Sequence, residues 1–144
     1  MTDRSMFKTE WIFFDLGSTL VDETEVYEKR FYETVRGSDV HVSAFQRTAV
    51  RFWEQGLDGY AEAAVFYHLQ KTPWHSEYER LYDGCAAALK ALKARGYRLG
   101  VIANQIPGTK KRLENWGVLQ FFDVVAASAE VGAAKPDPPL FLWA

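Results

Sequence analysis

Trp11-Ile12-Phe13-Phe14-Asp15-Leu16-Gly17-Ser18-Thr19-Leu20 is the stretch on which the reading of this chain turns. Four apolar residues in a row stop at an aspartate, and small residues follow. A short continuous apolar run predicts an interior strand with both faces covered. Asp15 then stands at the strand's carboxyl end, where an open α/β sheet gathers its ligands. Its carboxylate is placed either to act as a covalent nucleophile or to cap the turn that follows. On the strand alone, capping is the better-supported role.

Downstream, between residues 22 and 82, apolar side chains recur at helical spacing. They fall in three groups: Val26, Tyr27, Phe31 and Val35; Phe45, Ala49, Phe52 and Trp53; and Ala61, Val65, Phe66 and Leu69. Gly37, Gly56, Gly59 and Pro73 punctuate them, which predicts three or four short helices and no strand. From Gly84 the pattern changes. Residues 86–95 read as a helix with Leu89 and Leu92 inward, Lys90 and Lys93 outward, and Gly96 as its C-terminal cap. Residues 97–103 form a second strand and Thr109–Asn115 a helix ended by Gly117. A third strand covers 122–126, and another helix begins at Pro138. Strand, helical insertion, helix, strand, helix, strand predicts an α/β fold of parallel strands with crossover helices. The expected division is a partial core of residues 1–21 and 83–144 around an all-helical insertion, 22–82.

The parallel order brings three polar residues to one sheet edge. Asn104 ends the second strand and is placed to hold phosphate oxygens through its amide and nearby backbone N–H groups, or simply to form a turn. Lys135, in Ala134-Lys135-Pro136-Asp137-Pro138, follows the third strand by a loop. It is either a charge-stabilising lysine beside Asp15 or an ordinary loop lysine ahead of a proline-started helix.

Composition excludes several classes. The net charge is -2 and the pI about 5.9, with no basic block, so neither nucleic acid nor an anionic membrane is expected as a partner. Lys110, Lys111 and Arg112 read as a solvated helix face. The single cysteine, Cys85, permits no disulfide within the chain and reads as a small core residue. Met1 to Thr9 lacks the apolar run of a leader, and no stretch approaches the ~18 apolar residues that span a membrane. A cytoplasmic protein is the expectation. His41, His68 and His75 have no H-x-x-x-H or cysteine partner, which argues against zinc. The aromatics of the insertion read as packing, with Trp53 and Tyr60 the two considered for a pocket.

Taken together, F-F-D-L-G-S-T-L, then G-V-I-A-N-Q, then S-A-E-V-G-A-A-K-P-D-P resemble the haloacid dehalogenase (HAD) superfamily in order and spacing. The resemblance covers residues 11–22 and 81–142, and it reverses the choice made at Asp15. It implies a Rossmann-like parallel core with an inserted helical cap that selects substrates. It also implies Asp15 as nucleophile and Lys135 as stabilising lysine, with Thr19 shaping the nucleophile loop. Mg²⁺ would be held by the Asp15 carboxylate, the Gly17 carbonyl and an acidic motif further along the chain. The positions that bind phosphate in the family fall on Ala103 and Asn104.

Three departures accompany the resemblance. Many family phosphatases carry an acid-base aspartate where Gly17 stands. The family's Ser or Thr at the end of the second strand is Ala103. The last acidic motif belongs after the helix starting at Pro138, whereas the sequence ends at Ala144. The expected function is Mg²⁺-dependent hydrolysis of a small phosphorylated metabolite through an aspartyl-phosphate. The alternatives are a haloacid dehalogenase or phosphonate-cleaving enzyme using the same Asp15, and an inactive fragment or interaction protein that forms a homodimer through its open sheet edge.

Overall fold

The computed structural model describes residues 9–144. The expectation that Met1 to Thr9 carries no leader falls, Thr9 apart, outside the described residues. In chain order the elements are β1 (Trp11–Phe14), β2 (Val21–Asp22), α1 (Thr24–Val35), α2 (Val42–Trp53), α3 (Gly59–Phe66), β3 (Arg80–Leu81) and α4 (Cys85–Ala94). They continue with β4 (Arg98–Ala103), α5 (Thr109–Asn115), β5 (Val124–Ala127), α6 (Ser128–Val131) and α7 (Pro138–Trp143). Short 3-10 turns occupy Ser76–Tyr78 and Leu119–Phe121. The chain divides into two compact units: the residues up to Asp22 with Arg80–Ala144, and Glu23–Glu79.

The first unit is α/β, as the alternation predicts. β1, β4 and β5 form a parallel sheet in the order β1-β4-β5, with Phe14 opposite Val101 and Ala103 opposite Ala127. β4 is the most buried strand: Leu99, Val101 and Ala103 on one face are fully buried, and on the other Gly100 is buried and Ile102 partly so. That corrects the reading of β1, which lies at an edge of the three described strands. Its Ile12 and Phe14 face the core, while Phe13 is 41% exposed and stacks on Trp11 with ring centroids 5.4 Å apart. Four apolar residues are too few to tell a strand with an aromatic outer face from a buried one. Gly100 makes room for that outer face, because a Cβ there would collide with the Phe13 ring and come within 2.8 Å of Val124 Cγ1.

α4 buries Cys85 and Leu89 in the core with Leu92 packed alongside, a spacing that lines one helix face. Gly96, at φ +89°, turns the chain out of it. Lys93 is not a free outward charge. Its ammonium meets both oxygens of Asp123 at 2.8 and 3.1 Å, and Asp123 Oδ2 accepts the Leu99 N–H of β4 at 2.8 Å. The helical region, expected without strands, is bracketed by an antiparallel ribbon in which Val21 pairs with Leu81 and Asp22 with Arg80. Two residues a side are too short to show a period of two. With the Tyr82 N–H donating to the Leu20 carbonyl at 3.0 Å, the ribbon joins the chain's departure to its return.

The second unit packs α1, α2 and α3 around Phe31, Val35, Phe45, Ala49, Tyr60, Ala63 and Ala64. Gly59 permits the close approach of α3 to α2: a Cβ would strike the Ala49 carbonyl oxygen and the Trp53 ring. Tyr60 is interior, and its hydroxyl bonds Thr34 Oγ1 at 2.9 Å and accepts from the Thr72 N–H at 2.7 Å. The Arg30 guanidinium lies 3.7 Å over its ring. Tyr60 therefore serves the core of this unit rather than a pocket wall. His41 caps α2, and His75 bonds Glu33 and Glu77. No helix of the described residues is long and apolar enough to cross a membrane.

Candidate active site

Asp15 follows β1 directly, at the carboxyl end of a parallel strand. Its side chain is 44% exposed, so solvent and ligand can reach it. Behind it the chain winds tightly: the N–H groups of Thr19, Leu20 and Val21 all point at the Leu16 carbonyl, at 3.1, 2.9 and 3.0 Å. The Ser18 N–H donates to the Val21 carbonyl at 2.8 Å, and Ser18 takes φ +55° to close the loop. Leu16, 2% exposed, pins this loop into the core. A small-residue sequence suits a turn of this kind, and the anchored loop carries Thr19 back toward the carboxylate.

The geometry joins four of the six sequence candidates. Lys135 Nζ donates to Asp15 Oδ1 at 2.8 Å, and Thr19 Oγ1 donates to Oδ2 at 3.2 Å. Asn104 is linked to Lys135 by two bonds: the Lys135 N–H donates to Asn104 Oδ1 at 2.7 Å, and Asn104 Nδ2 donates to the Lys135 carbonyl at 3.0 Å. Gly17 lies in the wound loop two residues after Asp15. Ala103, fully buried at the end of β4, brings a methyl group and no donor.

Two further residues shape this edge that the sequence did not assign to it. Ser128, immediately after β5, accepts the Gln105 N–H at 3.0 Å and donates to the Gln105 carbonyl at 3.3 Å. The Arg112 guanidinium binds the Pro107 carbonyl at 2.9 Å, Gln105 Oε1 at 3.0 Å and Thr109 Oγ1 at 3.3 Å. Arg112 thus braces the loop after β4 instead of lying on a solvated helix face. Only the position of Ser128, directly behind a strand end, hinted at its use. Cys85 is buried, and burial pushes its thiol above the ordinary cysteine range, so it is a poor nucleophile.

A reachable carboxylate between an ammonium and a hydroxyl is suited to covalent attack on an anionic centre, with the lysine offsetting the charge that accumulates. The same edge offers hard oxygen donors at Asp15 and Gly17. Among the described residues, no three His, Cys, Asp or Glu side chains gather into a metal-holding group. That donor set fits a magnesium ion that keeps most of its shell as water and substrate oxygens, and it suits zinc poorly.

The family described as haloacid dehalogenase-like hydrolase matches residues 9–143. Pyrophosphatase PpaX of Listeria innocua serovar 6a is 29% identical over 141 residues, covering 91% of this chain and 65% of the relative. A phosphoglycolate phosphatase of Cereibacter sphaeroides is 34% identical over 59 residues, 40% of this chain and 27% of its own. The chain thus spans 65% of the length of the PpaX relatives it matches. Among solved structures, one described as a predicted phosphoglycolate phosphatase from Haemophilus somnus 129pt superposes with a TM-score of 0.61 at 20% identity, over 96% of this chain and 71% of that one. The putative HAD-hydrolase YfnB of Bacillus subtilis, bound to magnesium, does so at 0.60 and 17%, over 94% and 70%. These two likenesses concern the fold.

Proposed function

The chain belongs to the haloacid dehalogenase-like hydrolases, and from that premise we propose that it is the Asp15-bearing part of a magnesium-dependent phosphatase acting on a small phosphorylated metabolite. The observation that carries the proposal is the Asp15 carboxylate with Lys135 Nζ 2.8 Å from one oxygen and Thr19 Oγ1 3.2 Å from the other. Relatives named as a pyrophosphatase and a phosphoglycolate phosphatase support phosphorus as the electrophile.

In this reading an Asp15 oxygen attacks phosphorus, the P–O bond to the leaving group breaks with its electron pair, and an aspartyl-phosphate forms. Water then attacks that phosphorus, releasing phosphate and restoring the carboxylate. Lys135 offsets the repulsion between two anions and the charge growing on the phosphoryl oxygens. Thr19 keeps the carboxylate turned toward the open edge. Asp15 and Gly17 would hold Mg²⁺, which when bound neutralises charge on the transferring group. Gly17 has no proton to give, so the leaving group takes its proton from solvent, which favours leaving groups that are already weak bases. Residues 22–82 fill the role of the substrate-selecting cap.

The test is hydrolysis of p-nitrophenyl phosphate. Activity should vanish with Asp15→Asn, vanish with chelator and return with Mg²⁺. Full activity of Asp15→Asn would overturn the proposal. A second reading, cleavage of a carbon–halogen bond by Asp15, draws on Gly17 alone, since the dehalogenases also lack an aspartate there. Halide release from a 2-haloacid in the presence of chelator would favour it.

A further inference from the structure

Lys135 lies in the loop between α6 and α7, where no strand or helix ladder fixes its main chain. Yet its ammonium reaches an aspartate 120 positions earlier in the sequence. A turn in which the Asp137 N–H donates to the Ala134 carbonyl at 2.8 Å closes around Lys135 and Pro136, and the side chain of Asn104 pairs with the main chain of Lys135 itself. The amide gives one acceptor to the Lys135 N–H and one donor to the Lys135 carbonyl. One strand residue offers a neighbour the same pair of groups, so Asn104 supplies with its side chain the pairing that the loop lacks. Asn104 itself is set by β4, the middle strand, whose Val101 pairs with Phe14, the residue before Asp15. The nucleophile and the lysine's anchor are therefore carried on neighbouring strands in fixed register.

We infer that Asn104 is a positioning residue: it holds the Lys135 main chain so that the ammonium meets Asp15, and its effect on turnover passes through that lysine. Each end of its amide makes one bond to Lys135, and because Nδ2 carries a second N–H, anchoring by itself leaves room for a contact to phosphate, which the kinetic cycle below separates. Pro136 sharpens the dependence, since it has no N–H with which the next residue might pair. The kinetic weight of the inference rests on the phosphatase reading; the anchoring does not.

Two experiments decide it. In the first, the protein is treated with an acetylating N-hydroxysuccinimide ester, and the modification rates of Lys135 and Lys111 are followed by peptide mass spectrometry in the same sample. Lys135, 28% exposed and ion-paired, should react more slowly than Lys111, which is 71% exposed. Asn104→Ala should raise the Lys135 rate several-fold and leave Lys111 unchanged. An unchanged Lys135 rate overturns the inference. Should Asn104→Ala not fold, Asn104→Asp, which keeps the acceptor and loses the donor, decides in the same way. This readout needs no enzymatic activity, so it stands even if Asp15→Asn proves fully active and the phosphatase reading falls.

The second experiment is a kinetic cycle with p-nitrophenyl phosphate. Asn104→Ala should lower kcat by about 10–100-fold, the scale of a misplaced group, with KM changed by less than about threefold. In a Lys135→Met background the same change should cost little more, because its effect passes through the lysine. An equal loss in both backgrounds would mean that Asn104 acts on substrate directly, and it overturns the inference.

Discussion

The ammonium of Lys135 stands 2.8 Å from Asp15 Oδ1, across 120 residues of sequence, while both partners remain partly open to solvent at 28% and 44%. A pair this exposed contributes about 1 kcal/mol or less to stability. Its worth therefore lies in the charge it presents to a ligand and not in holding the fold together. Lys135→Met should cost about 10²–10³-fold in kcat on p-nitrophenyl phosphate, the scale of one lost charge-stabilising donor. It should shift the unfolding free energy by about 1 kcal/mol at most. Turnover assays beside urea denaturation check both halves, and a large stability loss with little kinetic effect would reverse the assignment.

Gly17 offers a gain-of-function test. An aspartate there would stand two residues from Asp15 and supply the proton that the leaving group now draws from solvent. General acid catalysis of this kind is worth roughly 10²–10⁴-fold where the leaving group is a strong base. Gly17→Asp should therefore raise hydrolysis of alkyl phosphates far more than that of p-nitrophenyl phosphate. The ratio of the two rates in variant and wild type is the measurement, and an unchanged ratio would count against solvent as the present proton source.

How far the sequence showed these features depends on distance along the chain. The helix Thr109–Asn115 was readable to its ends because Gly117 marks its close locally, and it adopts φ +72°. Gly96 did the same for α4. The candidate residues Asp15, Asn104 and Lys135 were visible as polar residues at strand ends or in the loop beyond. What stayed hidden is set by partners far away. The amide of Asn104 could have been a turn-former or a phosphate ligand until its two bonds to a residue 31 positions on were seen. Ser128 and Arg112 gained their uses from Gln105 in the same manner. The β2–β3 ribbon and the single turn of α6 were missed because elements of two and four residues carry no period.

Lys93 and Asp123 make a test of the sheet's foundation. The Lys93 ammonium, then the Leu99 N–H, hold the Asp123 carboxyl below its ordinary range. A depressed folded value means that this carboxylate adds stability above the unfolded value near 3.8, and that the contribution is lost as pH falls through the folded value. Asp123→Asn should lower stability modestly at neutral pH, and the difference from wild type should close as pH falls below 3.8 and through the depressed folded value. Urea denaturation from pH 2 to 7 shows whether the two curves converge.

His75 carries the opposite sign. Its bond to Glu33, 2.9 Å, and then that to Glu77, 3.1 Å, raise its value above the ordinary 6.5. A raised folded value favours the folded state fully below pH 6.5, and the contribution fades as pH climbs through the folded value. Glu33 belongs to α1, so the protonated ring ties the 3-10 turn's leading residue to that helix. Glu33→Gln should bring the His75 titration, followed by its ring proton shifts in NMR, down toward 6.5, and Glu77→Gln should do so to a smaller degree.

Gly59 offers the sharpest packing test. A methyl group there meets the Ala49 carbonyl oxygen, a main-chain atom that cannot rotate away, and lies 2.7 Å from two carbons of the Trp53 ring. Relief requires α3 to move off α2, and Tyr60 and Ala63 would leave the core with it. Overpacking of this kind costs about 1–3 kcal/mol. Gly59→Ala should therefore destabilise Glu23–Glu79 by that amount, whereas Gly37→Ala, with open space around its Cβ, pays only for its φ of +80°. Urea denaturation of the two variants side by side separates collision from backbone strain, and a smaller loss for Gly59→Ala than for Gly37→Ala would show that α3 yields without cost.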